Sequence, residues 1–171
     1  AGGSWWGGAG GGAVRIDASG AVMIRGNITA NGGAAQYGSG GSGGGVFITC
    51  NTISGSNAAV KAEGGNGDVT YKGGGGGGRI AIVYDLTAQS ALPVPGITFS
   101  TRPGSAAYDG DVGTVYFPDT RFLTDVLPHS GELIMAGLTN WTPDSLTVSN
   151  GWIRFTTNLV RIAVTNRVAV I

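Results

Sequence analysis

The chain has 171 residues, and 34 of them are glycine, far above the roughly 7% of average proteins. Ten basic residues balance ten acidic ones, so no charged patch invites nucleic acid or an anionic membrane surface. An apolar share of 42% excludes a polar disordered tail, and no apolar run reaches the ~20 residues of a membrane-spanning helix.

In chain order, the predicted elements repeat. Trp5-Trp6 leads into Gly7 to Gly12, followed by the strand Ala13-Val-Arg-Ile-Asp-Ala18. Val14, Ile16 and Ala18 face one way, Arg15 and Asp17 the other, the period of a half-buried strand. Ile28-Thr-Ala-Asn-Gly-Gly33 follows. Tyr37 then opens Gly38 to Gly45 and the strand Gly45-Val-Phe-Ile-Thr-Cys50, the counterpart of Ala13 to Ala18. Val60-Lys-Ala-Glu-Gly-Gly65 is the counterpart of Ile28 to Gly33, and the step from Ile28 to Val60 equals the step from Ala13 to Gly45. Tyr71 opens Gly73 to Gly78, and Ile80-Ala-Ile-Val-Tyr84 follows Val46 by a slightly longer step. A looser copy runs from Tyr108 through Gly110 and Gly113 to Val115-Tyr-Phe117. Only Leu86 to Leu92 hints at a helix.

A glycine-rich β repeat of this length is the signature of a solenoid. Stacking predicts a column of Val14, Val46, Ile80 and Val115, with Ile16, Ile48, Ile82 and Phe117 beside it. The glycine runs are expected to be extended, polyproline II-like segments bonded backbone to backbone, because bare backbone is what crowded contacts allow. Cys50 shares a face with Val46 and Ile48 and reads as a buried structural thiol. As the only cysteine it excludes an internal disulfide.

Beyond Leu86 the long glycine runs stop and all six prolines appear. Residues 86–112 read as an irregular insertion. Ser145-Leu-Thr-Val-Ser-Asn150 resembles Arg161-Ile-Ala-Val-Thr-Asn166. Their short offset reads as tighter rungs with an Asn150–Asn166 ladder. The expected organisation is 1–86 glycine-rich repeats, 87–138 insertion and further rungs, and 139–171 tighter rungs, one continuous solenoid. The first residue, Ala1, and the strand-like last residues suggest a fragment of a longer chain.

Few residues suggest chemistry. Asp109 and Asp111 flank a glycine, and calcium takes such oxygen ligands; no other cofactor is suggested. Gly64-Gly65-Asn66-Gly67-Asp68 is one residue short of a calcium-binding repeat. A solvated turn is the plainer reading of both. The same carboxylates have the spacing of a glycosidase pair, yet nothing places a substrate between them, so no enzyme is expected. His129 stands alone between Pro128 and Ser130 and reads as a loop residue. Trp5, Trp6, Tyr37 and Tyr71 form either a carbohydrate strip or, preferably, a packing ladder over glycine. Trp141 and Trp152 are assigned to core or cap.

Gly73-Gly-Gly-Gly-Gly-Gly-Arg-Ile-Ala-Ile-Val-Tyr84, with Ile28-Thr-Ala-Asn-Gly-Gly33 upstream, resembles the glycine-rich repeats of large secreted bacterial adhesins and surface fibres. The likeness covers roughly residues 1–86. It implies an extracellular or cell-surface structural role and carries over no binding residues. The sequence therefore predicts an all-β, right-handed parallel β-helix that self-associates into a filament, fibre or adhesin. The other class is a carbohydrate-binding or carbohydrate-processing β-helix that meets surface polysaccharide.

Overall fold

The computed structural model describes residues 7–149, 151–155 and 160–171. They form an all-β structure with one short helix. The strands are β1 (Ala13–Asp17), β2 (Ala21–Ile24), β3 (Asn27–Thr29), β4 (Gly45–Cys50), β5 (Thr52–Gly55), β6 (Ala58–Lys61) and β7 (Arg79–Tyr84). After the helix α1 (Leu86–Ser90) come β8 (Ile97–Ser100), β9 (Thr114–Phe117), β10 (Val126–Leu127), β11 (Gly131–Met135) and β12 (Asn140–Trp141). The last four are β13 (Ser145–Val148), β14 (Ile153–Phe155), β15 (Arg161–Ile162) and β16 (Arg167–Val170).

Strands pair with the strand one repeat later, always in parallel among the described residues. The largest sheet is β1-β4-β7-β9-β11-β14; β2-β5 and β3-β6-β8 lie beside its first part, β12-β15 and β10-β13-β16 beside its last. This first sheet crosses both expected boundaries, near residues 86 and 138.

The predicted registers of the glycine-rich repeats are the observed ones. Val14 pairs with Val46, Val46 with Ile80, and Ile80 with Val115. Leu133 and Phe155 extend the column. Ile16, Ile48 and Ile82 run parallel to it. Val46, Ile48, Ile80, Ile82, Val115 and Leu133 are all buried. Each such side chain contributes about 1.5–3 kcal/mol by leaving water.

Two expectations are corrected. Residues 86–112 are an insertion only in part: α1 and the loop after it make the path from Tyr84 to Ile97 longer than that from Cys50 to Ala58, but β8 pairs with β6, matching Phe99 to Val60, and residues 101–113 continue the glycine layers described below. The prolines hide this because they interrupt the pattern without leaving the path. The closing repeat is longer than the offset of the 145 and 161 segments: Ser145 pairs with Arg167 and Asn140 with Arg161. The likeness of those two segments crosses two different sheets. Asn150 lies outside the described residues.

Where a strand is missing, side chains supply its hydrogen bonds. Helix α1, capped by Asp85 Oδ1 accepting from the Ala88 amide at 2.7 Å, aims the buried Gln89 at β5. The Ile53 amide donates to Gln89 Oε1 (2.7 Å) and Gln89 Nε2 donates to the Ile53 carbonyl (3.0 Å). Gln89→Leu strips both partners from buried backbone, which costs about 1–3 kcal/mol per orphaned group. An overall loss of about 2 kcal/mol in chemical unfolding is expected after relaxation; no measurable loss would contradict this role.

Candidate functional site

The glycine segments are the most distinctive surface of the molecule, and they are ordered. They form two layers. One holds residues 7–12, 38–44, 72–78 and 108–113, the other residues 30–35, 62–67 and 101–105. Within the first layer, Gly8 and Gly11 donate to the carbonyls of Ser39 and Ser42, Gly40 and Gly43 to Gly73 and Gly76, and Gly74 and Gly77 to Tyr108 and Asp111. Between the layers, Gly41 and Gly44 donate to Gly33 and Ala30, Gly75 and Gly78 to Gly65 and Ala62, and Gly110 and Gly113 to Gly104 and Thr101. Each kind of bond recurs at every third position along a segment.

That period explains which glycines are required. A Cβ on Gly40 would lie 1.8 Å from the Gly65 carbonyl oxygen, and one on Gly75 would lie 1.9 Å from that of Gly41. The third position of each triplet faces outward. There Ser39 and Ser42 carry side chains, and a Cβ on Gly76 would find its nearest neighbour at 3.6 Å.

Asp109 and Asp111 sit on the last segment of the first layer. Ser105 Oγ and the Ala106 amide donate to Asp109 Oδ1 at 2.9 and 3.1 Å. Arg154 and the Val112 amide donate to Asp111 Oδ1, at 2.9 and 2.8 Å. The Arg154 bond, then that of Val112, holds the Asp111 carboxyl below the usual range. Both carboxylates thus take protein donors. No group of three or more metal-ligating side chains occurs among the described residues. In the Gly64–Asp68 stretch, Gly64, Gly65 and Gly67 belong to the second layer instead of a solvated turn. Asp68 accepts from the Thr70 amide at 2.7 Å, which lowers its pKa.

Of the aromatic strip, Trp5 and Trp6 lie outside the described residues. Tyr37 and Tyr71 line a shallow hollow of about 340 Å³ with Asp68, Thr70 and Lys72. Tyr37 is 49% and Tyr71 80% exposed. Tyr108 pairs with Gly73 and so stands inside the glycine register. Trp141 packs against the core. Trp152 is 48% exposed, with the Arg154 guanidinium 5.0 Å from its ring.

His129 lies in the loop between β10 and β11, as expected, but its side chain is buried. It is buried among Phe99, Phe117 and Phe122, with ring centroids 5.3, 5.8 and 6.2 Å away. Its Nδ1 accepts from the Phe99 amide at 3.3 Å and its Nε2 lies 3.2 Å from the Phe122 carbonyl, which requires the neutral Nε2–H tautomer. Burial lowers its pKa from 6.5 to about 4. A proton is therefore taken up by the unfolded chain first. Stability should be full above about pH 6.5 and fall by about 3 kcal/mol as pH approaches 4, at 1.36 kcal/mol per unit. Denaturation midpoints across that window, compared between the native chain and His129→Gln, test this; equal slopes would contradict it.

Cys50 is buried with Val46 and Ile48, and burial raises its thiol pKa. Sequence reasoning misses Gln89, Arg154 and Pro103. Single polar residues and a proline carry no periodic signal, although Asp85 before a short apolar stretch signals the cap that orients Gln89. No family model, curated protein or solved structure matches the chain.

Proposed function

We propose that the chain is a structural segment of an extracellular fibre, filament or adhesin, built as a right-handed parallel β-solenoid with polyproline II-like glycine layers. The observation that carries the reading is the coincidence of two stacked lattices. Parallel strands keep one column of apolar side chains from Val14 to Phe155, buried in its middle and part-buried at its ends, and glycine segments bond to their neighbours at every third residue. A three-residue turn matches polyproline II geometry. Parallel crossovers are right-handed in about 98% of cases, which supports the handedness. Such a body is held along its stacking axis by backbone hydrogen bonds between successive segments. Self-association in this reading uses sheet edges such as β16, whose Val168 and Val170 are exposed and whose outer edge invites pairing.

The second reading, a carbohydrate-binding β-helix, is favoured by the Tyr37–Tyr71 hollow, where exposed rings meet Asp68 and Lys72. Electron microscopy and glycan-array binding on the purified chain separate the two. Filaments without glycan binding support the structural role. Monomers with saturable glycan binding, abolished by Tyr71→Ala, contradict it and support the second.

A further inference from the structure

The glycine layers grow by one rule and then stop, and the residues at the stop differ from all earlier ones in the same way. In the first layer the donors to the next segment are Gly8 and Gly11, Gly40 and Gly43, Gly74 and Gly77. Counted by the same register, with Gly73 opposite Tyr108, the fourth segment places Asp109 and Val112 at these positions. A Cβ at Gly74 or Gly77 would lie 1.9 Å from the carbonyl oxygen of Gly104 or Thr101. The side chains of Asp109 and Val112 therefore stand in the volume that another segment would occupy.

The second layer ends likewise. Gly64 and Gly67 donate to Arg102 and Ser105. One repeat on, the equivalents are Pro103, which has no N–H, and Ala106, whose amide donates to Asp109 Oδ1 at 3.1 Å. The Val112 amide, the counterpart of the Gly77 donor, is taken by Asp111 Oδ1 at 2.8 Å. Arg154 from β14 holds Asp111 in turn. Of the five donors that would have bonded a following segment, those of Pro103, Ala106 and Val112 are thus deleted or capped, Thr101 alone bonds onward, to Ser130 of the shorter next turn, and two side chains block the path of a further glycine segment. The spacing of the first sheet changes at the same place. Arg79 pairs with Thr114, a full glycine-bearing repeat later, whereas Thr114 pairs with Glu132 after a much shorter span.

We propose that Pro103, Asp109, Asp111 and Val112 form a built-in stop that closes the glycine layers against a further glycine segment, whether from another repeat or from a second copy of the chain. The Asp109-Gly110-Asp111 motif is then an edge cap, the glycine-layer equivalent of the charged residues and prolines that protect exposed sheet edges. Contacts between copies are directed to the β edges. The inference rests on the layer geometry and holds whether or not the chain forms fibres.

The test is a tandem protein in which residues 79–113 are repeated once directly after residue 113. The repeat length equals the Arg79–Thr114 register, so the first copy of the stop becomes internal. Introducing Pro103→Gly, Asp109→Gly and Val112→Gly into that first copy alone should raise the tandem protein's Tm by about 10 °C, on the scale of relieved overpacking. The same three substitutions in the natural chain should not raise its Tm. A tandem protein equally stable with and without the three glycines would overturn the stop.

Discussion

Gly75→Val should destabilise the chain by about 4 kcal/mol or more, the sum of overpacking and loosened backbone bonds. Gly76→Ala, one position along, should change stability by less than about 0.5 kcal/mol, as an ordinary surface substitution does. The new Cβ at Gly75 meets the Gly41 carbonyl oxygen at 1.9 Å and its carbon at 2.5 Å. Those atoms belong to backbone that is itself bonded, because the Gly65 amide donates to Gly41. They cannot rotate away as a side chain would. Overpacking alone costs typically about 1–3 kcal/mol. Moving the segment also loosens the bonds from the Gly75 amide to Gly65 and from the Gly104 amide to Gly75, each worth about 1 kcal/mol. The Gly76 Cβ meets only the Asp111 carbonyl oxygen at 3.6 Å, an ordinary contact. Chemical unfolding of the two variants checks the pair. Equal effects would mean that the segments are not locked at a three-residue period.

Phe99→Ala should cost about 4 kcal/mol, within the range of buried aromatic truncations. Phe99 is fully buried. Its ring meets Phe117 and Phe122 edge-on, with centroids 5.0 Å away in both cases, and His129 at 5.3 Å. Its amide donates to His129 Nδ1. A loss under about 1.5 kcal/mol, below the span of such truncations, would mean that this cluster is loosely packed.

The sequence is legible where side chains repeat and illegible where single residues mend a break. Val14, Val46 and Ile80 can be aligned by eye because period-two alternation and a near-constant spacing leave one register that buries them all. The glycine runs can be read as ordered for the same reason. Which glycines are required cannot be read, because Gly75 and Gly76 look identical until the neighbouring carbonyl is placed. Beyond Leu86 the step from Thr114 to Glu132 is far shorter than that from Arg79 to Thr114, and similarity at a fixed offset then misleads. That is why Ser145 seems to match Arg161 yet pairs with Arg167. His129 is a loop residue, as Pro128 and Ser130 signal, but its burial is not legible in the sequence. The need of the Phe99 amide for an acceptor comes from β8, far upstream in the chain.

Amide hydrogen exchange tests the central claim most directly. In the segments 38–44 and 72–78, the amides of Gly40, Gly41, Gly43, Gly44, Gly74, Gly75, Gly77 and Gly78 donate to neighbouring backbone. The amides of Ser42 and Gly76 have no such acceptor among the described residues. The expected result is two slow amides followed by one fast one, repeating along each segment, with the slow ones approaching the protection of Val46 and Ile80 in the sheet. Uniformly fast exchange through both segments would contradict it and reduce the glycine layers to loops.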